Sequence, residues 1–288
     1  MDEREAQLDG DVVRYQIGFA TQRKVYKVLD KTFATFFEAS EYADQEGVPQ
    51  EMVKTELHSD FIQAVYYTVD KFIEGILKGA RADSCNIFLT GEGNYRESIA
   101  TIKPYKGQRS ADKPVHYHTI TEYLIKKYKA KVIDGAEADD AMGWAQTARG
   151  NDHKSVICTI DKDLNMIPGW HFDWNKQKLY NVSLPEADKF FYTQLLTGDA
   201  VDNIEGCPQI GSKKAEQILS GAGTPLEMYR RCQETYVQHH RKIAEKFGLS
   251  CAENERAIFE AAMRDLEENA NLLWIQREEG VRWISPAD

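Results

Sequence analysis

The chain has 288 residues, of which 36 are Lys or Arg and 46 are Asp or Glu, so its formal charge is −10. This length allows one large domain or two small ones. Hydrophobic residues make up 42% of the chain, which is enough for a buried core. This composition excludes a disordered chain, a collagen-like repeat and a small disulfide scaffold. The net acidity argues on average against nucleic acid, yet residues 103–131 hold eight bases and two acids, a local charge of +6. Residues 253–288 hold nine acids and four bases, a local charge of −5, so the partner depends on which segment faces it.

The cysteine pattern and the first residues bear on the compartment. The five cysteines are scattered and form no Cys-x-x-Cys pair, which indicates a reducing compartment and argues against disulfides and a thiolate zinc site. The first ten residues are acidic and polar, unlike a signal peptide, and no apolar run approaches the ~20 residues of a membrane span. We therefore expect a soluble, cytoplasmic protein without a membrane partner; the sequence identifies no protein partner.

Predicted helices and strands alternate along the first two thirds of the chain. Residues 9–79 are mostly helical in pattern, with an amphipathic core helix at 61–77. Short apolar runs at 86–90, 131–134 and 155–161 predict strands, separated by helical segments at about 114–130 and 137–149. This alternation is typical of a parallel sheet flanked by helices. A strand-rich stretch ends at Val182, and the remainder is predicted to be helical.

Acidic residues follow the predicted strands. The four clusters are Asp9-Gly10-Asp11, Glu137-Ala138-Asp139-Asp140, Asp161-Lys162-Asp163 and Asp199 with Asp202. Ligands of open parallel sheets bind at the carboxyl ends of strands, so the clusters are expected to meet at one site. A shared divalent metal would compensate the repulsion between carboxylates, and oxygen donors without His or Cys favour Mg²⁺ or Mn²⁺ over zinc. Any single cluster is more simply a helix cap or a turn, but four together predict a metal site.

Two other segments carry groups suited to phosphate. Between Gly206 and Ala215, Pro and two Gly residues predict a tight turn into a helix, whose first N–H groups would bind an anion beside Lys213 and Lys214. Such a contact holds a nucleic-acid backbone without reading bases, although a plain helix start with two solvated lysines is the simpler alternative. In the basic stretch, residues 105–109 place aromatic and cationic groups around Gly107, which suits stacking and phosphate contact.

Taken in order, these motifs resemble the metal-dependent 5′ nucleases, which include flap endonucleases and the 5′–3′ exonucleases of bacteriophages. The Asp-Gly start, the Tyr-Lys-Gly-x-Arg stretch, the Glu-Ala-Asp-Asp motif, the Asp-x-Asp pair and the Gly-Asp-x-x-Asp-Asn-Ile motif occur at residues 9–10, 105–109, 137–140, 161–163 and 198–204. The resemblance covers residues 9–219 and is greatest to phage exonucleases that act on duplex DNA. It implies an α/β fold with a PIN-like parallel sheet flanked by helices.

The resemblance also implies a division of the chain and a role for each matching residue. Residues 1–183 would form the nuclease core with a helical insertion, and residues 184–288 a helical DNA-binding part with a helix-hairpin-helix at about 198–220. The implied metal ligands, direct or through water, are Asp9, Glu137, Asp139, Asp140, Asp161, Asp163, Asp199 and Asp202. Lys106 would approach the scissile phosphate, with Arg96 and Arg109 on phosphates near it. The implied DNA-binding residues are Tyr105, Lys106, Arg109, Gly206, Gly211, Ser212, Lys213 and Lys214.

The implied activity is 5′–3′ exonucleolytic hydrolysis of duplex DNA at a 5′ end or nick. It would use two Mg²⁺ or Mn²⁺ ions, with K⁺ a further candidate at the helix-hairpin-helix, and would serve phage DNA replication or degradation in the host cytoplasm. Relatives carry an Asp after the strand at 86–90, where this chain has Glu92, so that ligand is either replaced or missing.

Other activities stay open at this point. A flap endonuclease of the same family, activity on RNA–DNA hybrids and a non-catalytic duplex-DNA-binding module are alternatives. A haloacid-dehalogenase-type phosphatase is another, because Asp9-Gly10-Asp11 resembles its Asp-x-Asp start.

Overall fold

The computed structural model describes residues 3–108, 112–150 and 153–287, which fall into two compact units. The first unit contains the residues up to Asp9, residues 77–111 and the chain from Lys131 onward; the second contains residues 10–76 and 112–130. Arg109, a predicted phosphate contact, lies outside the described residues.

Nine strands and ten α-helices are formed by the described residues. The strands are β1 Glu5–Asp9, β2 Gln22–Val28, β3 Lys31–Phe33, β4 Lys54–Ser59, β5 Ser84–Thr90, β6 Lys131–Ile133, β7 Ser155–Cys158, β8 Gly169–Asp173 and β9 Lys178–Val182. The helices are α1 Gly10–Ala20, α2 Phe36–Gln45, α3 Ile62–Ala80, α4 Tyr95–Ile99, α5 Tyr117–Tyr128, α6 Ala138–Ala148, α7 Leu184–Thr197, α8 Ser212–Leu219, α9 Pro225–Lys246 and α10 Glu255–Leu273. Two 3₁₀ turns occupy Gln50–Met52 and Lys162–Met166.

The first unit is built on a six-stranded sheet in the order β6-β5-β1-β7-β8-β9. All neighbours in this sheet are parallel except β8 and β9, which pair antiparallel. The predicted parallel sheet is therefore confirmed, and it places the carboxyl ends of β5, β1 and β7 next to one another. Its apolar core continues into the packing of α7, α9 and α10, with Phe191, Tyr236 and Leu266 buried.

The first strand is central although its sequence is only weakly apolar. Ala6 and Leu8 are fully buried, and so is the polar side chain of Gln7. Gln7 is satisfied from both neighbouring strands: its Nε2 donates to the Ser155 hydroxyl at 3.2 Å, and Asn86 Nδ2 donates to its Oε1 at 3.2 Å. A buried polar group with partners costs little, which explains how a strand with a central Gln lies in the middle of the sheet.

Residues 184–287 contain helices and no strand within their described extent. Helix α7 begins with a capping box in which Ser183 and Glu186 satisfy each other's backbone N–H groups, and Thr224 and Glu227 do the same at α9. By compactness these helices belong to the same unit as the sheet. Their separate assignment as a DNA-binding part from residue 184 stays a prediction.

The second unit combines α1, α2, α5 and most of α3 with a sheet that was not predicted. The helical pattern at 61–77 is confirmed as α3, in which Val65, Val69 and Ile73 are buried. Strands β3, β2 and β4 form an antiparallel three-stranded sheet, against which α2 packs with Ala39 and Ala43 buried beside Val28.

No helix among the described residues is long and apolar enough to cross a membrane.

Candidate active site

Four acidic side chains lie at the carboxyl ends of strands of the six-stranded sheet or just beyond them. Asp9 is the last residue of β1 and is 2% exposed. Glu137 is the N-cap of α6, and Asp139 lies in the first turn of that helix. Asp161 caps the 3₁₀ turn that follows β7, with its carboxylate accepting the Asp163 N–H at 2.8 Å. Strand order therefore brings together residues that are more than 120 positions apart in the sequence.

The electrostatics of Asp139 show that these carboxylates are close neighbours. Burial, followed by the charges of Asp9, Asp161 and Glu137, raises the pKa of Asp139 well above its usual range. Thr159 links two members of this group: its hydroxyl donates to Asp9 Oδ2 at 2.8 Å and accepts the Asp161 N–H at 3.0 Å.

A second acidic group continues from Asp161. Burial and then the Asp161 charge raise the pKa of Asp163 to about 7, with Asp199 adding to the rise. Gln194 on α7 donates to Asp163 Oδ1 at 2.6 Å. Asp199 follows α7, where it pairs with Ile204 and accepts a hydrogen bond from the Val201 N–H at 2.7 Å.

Lys106 and Tyr105 lie against the acidic residues. The Lys106 ammonium contacts Glu137 Oε1 and is 3.8 Å from Asp202 Oδ2. The Tyr105 hydroxyl is 3.0 Å from Glu137 Oε2 and 3.1 Å from Asp202 Oδ2. Although burial alone would raise it, the charges of Lys106 and Arg96 hold the pKa of Glu137 below its usual range. Glu137 is therefore an anion with cations beside it, whereas at Asp139 the Lys106 charge is outweighed by burial and by the neighbouring carboxylates.

The loop that carries Lys106 is hydrogen-bonded to the turn after α7. Lys106 adopts a left-handed conformation with φ of 54°, and its N–H donates to the Asp202 carbonyl at 3.0 Å. Asn203 donates from Nδ2 to the Pro104 carbonyl at 2.9 Å and accepts from Gln108 Nε2 at 3.0 Å. Two motifs that lie about a hundred residues apart thus form one structural element beside the carboxylates.

Asp140 and Arg96 are bonded to each other behind this cluster. Arg96 is 2% exposed, and its guanidinium binds both Asp140 oxygens, at 2.7 and 2.9 Å. It also donates to the carbonyls of Leu272 and Trp274, at 3.0 and 2.6 Å. Asp140 accepts two further N–H groups, from Glu137 and Gln276. The predicted roles of Asp140 as a metal ligand and of Arg96 as a phosphate contact stay predictions, and the burial and full bonding of the pair favour a positioning role.

The predicted phosphate-binding turn lies at the surface. Gly211 caps α8, and the residues Gly211, Ser212, Lys213 and Lys214 are all exposed. Gly206 has φ of 65°, and a Cβ atom on it would lie 2.2 Å from the Gly198 nitrogen, so the turn needs glycine there. Lys214 Nζ donates to the Gln209 carbonyl at 3.1 Å. The structure brings Gly206 next to the strand-like turn of Asp199; the helix-hairpin-helix itself stays a prediction.

The oxygen donors suit a hard divalent cation by their chemistry, but they do not form a ready cage. Among the described residues, no three acidic, His or Cys side chains are placed to hold a metal ion as they stand. The raised pKa values of Asp139 and Asp163 come from burial and from the charges of other carboxylates. A bound divalent cation would compensate this excess of negative charge. Glu92 is exposed and its N–H donates to Asp134 Oδ1 at 2.9 Å; its replacement of a metal ligand stays a prediction.

Several residues of this region were missed in the sequence. They are Asn94, which donates to Glu137 at 2.9 Å, Thr159, Gln194 and Asn203. Only Asn203 lies within a recognised motif. The others are single polar residues with no spacing that marks them.

The known proteins of similar sequence include two exonucleases. A 5′–3′ exonuclease of Halalkalibacterium halodurans is 25% identical over 172 residues, which are 53% of this chain and 56% of that protein. An exodeoxyribonuclease of Enterobacteria phage T3 is 27% identical over 137 residues, 46% of this chain and 45% of that protein. The matched stretch thus spans about half the length of either relative. No family model matches the chain.

The fold has a solved counterpart. A variant of T5 5′-exonuclease has a TM-score of 0.51 at 15% identity, covering 93% of this chain and 88% of that one. This likeness confirms the α/β fold. The two sequence relatives, which are named as exonucleases, confirm the resemblance to the 5′ nucleases that the motifs indicate.

Proposed function

We propose that the protein is a divalent-metal-dependent 5′–3′ deoxyribonuclease that hydrolyses phosphodiester bonds of duplex DNA from a 5′ end or nick. The convergence of Asp9, Asp139 and Asp161 on one sheet edge, with Lys106 beside Glu137, is the observation that carries the proposal. The two nuclease relatives support the same reaction class.

Two metal positions follow from the two acidic groups. Asp9, Glu137 and Asp139 would hold one ion, and Asp161, Asp163 and Asp199 the other, with Asp161 lying between the two groups. Asp202 would join the ligands from the side of Glu137, with which it shares the Tyr105 hydroxyl. When bound, Mg²⁺ or Mn²⁺ lowers the pKa of water and offsets the negative charge that develops on the phosphate. The raised pKa values of Asp139 and Asp163 fit residues whose anions need such a cation.

The chain's own groups orient the phosphate and balance its charge. Lys106 is one quarter exposed and its ammonium is held by Glu137, so it is available to move onto a phosphate oxygen that enters the site. The Tyr105 hydroxyl contacts the carboxylates of Glu137 and Asp202 and so fixes their relative positions. Thr159 fixes Asp9 relative to Asp161.

The exposed start of α8 would hold the duplex backbone at a distance from the cleaved bond. Its free first-turn N–H groups and Lys213 offer phosphate contacts that are independent of base sequence. A helix-hairpin-helix with a K⁺ ion is part of this proposal. Arg109 belongs to the same proposal as a phosphate contact.

A digestion series tests the proposal. The substrates are 5′-labelled blunt duplex, nicked duplex, 5′ flap and RNA–DNA hybrid, each with Mg²⁺, with Mn²⁺ and with EDTA. We expect metal-dependent release of short products from the 5′ end of the duplex. Preferred cleavage at a flap junction would instead identify a flap endonuclease.

Two outcomes would overturn the proposal. Binding of duplex without cleavage in either metal would leave a non-catalytic DNA-binding module. Hydrolysis of a small phosphate monoester, with DNA untouched, would identify a phosphatase in which Asp9 is the nucleophile.

A further inference from the structure

The residues just beyond α10 contact three of the elements that carry the acidic residues. This segment, residues 274–280, is called the C-terminal clasp below. It has no chemical motif; it follows an amphipathic helix and contains one aromatic residue, Trp274, and three charged residues, Arg277, Glu278 and Glu279. Ile275 and Gln276 within it are buried, at 5% and 3% exposure.

The clasp packs against α6, the helix whose N-terminal end carries Glu137 and Asp139. The Gln276 N–H donates to Asp140 Oδ1 at 2.9 Å, and Trp144 Nε1 donates to Gln276 Oε1 at 3.2 Å. A Cβ atom on Gly143 would lie 2.2 Å from the Gln276 carbonyl oxygen, so the backbones of α6 and the clasp are in direct contact. No side chain fits between them.

The clasp also binds the 3₁₀ turn that carries the second acidic group. Arg277 donates from Nε and Nη2 to the carbonyl of Met166, at 3.1 and 2.8 Å, and Met166 is the last residue of that turn. The Nη1 atom of Arg277 is 2.8 Å from Asp188 Oδ1 on α7, the helix whose Gln194 contacts Asp163. One guanidinium thus joins the turn and α7.

We propose that the C-terminal clasp sets the separation of the two acidic groups, with Gln276 and Arg277 as positioning residues that touch neither metal nor DNA. The acidic residues lie on separate elements, namely α6, the 3₁₀ turn and the turn after α7, so the distance between the two groups depends on an external tie between those elements. The clasp supplies that tie on the side of α6, the 3₁₀ turn and α7 at once. Outer residues of this kind orient ligands and tune metal affinity. The inference rests on the proposed function, because it assumes that the acidic groups hold metal.

Metal binding by the 288-residue chain tests the clasp directly. The variants are Arg277→Ala, Arg277→Lys and Gly143→Ala, and the matched control is Glu279→Ala, an exposed residue of the same segment. Mn²⁺ affinity is measured by titration calorimetry, DNA affinity in EDTA by anisotropy, and folding by thermal unfolding. We expect Arg277→Ala and Gly143→Ala to weaken Mn²⁺ binding about tenfold. Arg277→Lys should recover part of that loss, and DNA affinity in EDTA should not change.

The outcomes separate the clasp from the proposed function. Unchanged Mn²⁺ affinity in folded Arg277→Ala and Gly143→Ala variants overturns the clasp while cleavage by the wild type upholds the nuclease. A lower melting temperature with unchanged Mn²⁺ affinity also overturns it, since that is the result of a purely structural contact. If Arg277→Ala does not fold, Arg277→Lys decides the same question. A wild-type chain that neither binds Mn²⁺ nor cleaves DNA overturns both proposals.

Discussion

Arg96 binds both carboxylate oxygens of Asp140, and neither side chain is more than 2% exposed. Removing one partner of a buried ion pair leaves the other charge buried without a counter-charge, which is energetically unfavourable. We therefore expect Arg96→Met to lower the free energy of unfolding by about 3–5 kcal/mol, as measured by urea denaturation. The double variant Arg96→Met with Asp140→Leu should recover much of that loss, because it also removes the charge of Asp140 that the single variant leaves unpaired.

An exposed ion pair provides the control for this measurement. Arg149 lies 2.6 Å from Glu5 and its side chain is 48% exposed, so Arg149→Met should cost less than about 1 kcal/mol. Full stability of Arg96→Met, together with a loss of DNA affinity, would contradict the positioning role and restore Arg96 as a phosphate contact.

Lys106 should matter more for turnover than for binding. Its ammonium lies among Glu137 and Asp202 rather than on the outer surface, so it meets a phosphate only at the acidic site. We expect Lys106→Ala to lower kcat on 5′-labelled duplex about 100-fold, with little change in DNA affinity. Lys103→Ala is the control, since Lys103 pairs with Glu205 at 3.2 Å and is 44% exposed. Equal losses of affinity and rate would reduce Lys106 to one phosphate contact among many.

Neutralising the shared carboxylate should stop the reaction without releasing DNA. Asp161 influences the pKa of both Asp139 and Asp163, so it belongs to both acidic groups. We expect the double variant Asp161→Asn with Asp163→Asn to lose cleavage in Mg²⁺ and in Mn²⁺, and to bind duplex as well as the wild type. Glu97→Gln, at an exposed acid of α4, should cleave normally. Cleavage by the double variant at the wild-type rate would remove these residues from the site.

The parts of the fold that depend on apolar strand cores were predictable from the sequence. Strands β5, β6 and β7 coincide with short apolar runs in the sequence. The acidic residues were located because they come directly after such runs. The sheet of β2, β3 and β4 was missed because its strands are rich in Lys, Arg, Thr and Glu, and β3 and β4 are largely exposed, so the three strands lack an apolar alternation.

The bonding of individual site residues was less predictable. Arg96 matched a phosphate-contact position, yet its partners Leu272 and Trp274 are more than 170 residues away, in a segment without a motif. The same holds for Thr159, whose partner Asp9 is set by the pairing of β1 with β7. Tertiary contacts of this kind are fixed by strand order, as for Thr159, or by the packing of distant helices, as for Arg96, and the residue types alone specify neither.

The imidazole of His171 should make stability depend on pH. It is 1% exposed on β8, its Nε2–H donates to the Ile167 carbonyl at 2.8 Å, and burial lowers its pKa from 6.5 to about 4. Between these two values the unfolded chain binds a proton that the folded chain does not. The stabilisation is therefore complete above pH 6.5 and is lost as the pH falls toward 4, by about 3 kcal/mol. Urea unfolding of His171→Gln, which cannot titrate, should show a smaller deficit relative to the wild type near about pH 4.5 than near about pH 7. His118→Gln, at an exposed histidine, should follow the wild type throughout, and the same deficit for His171→Gln at both pH values would show that His171 is not the titrating group.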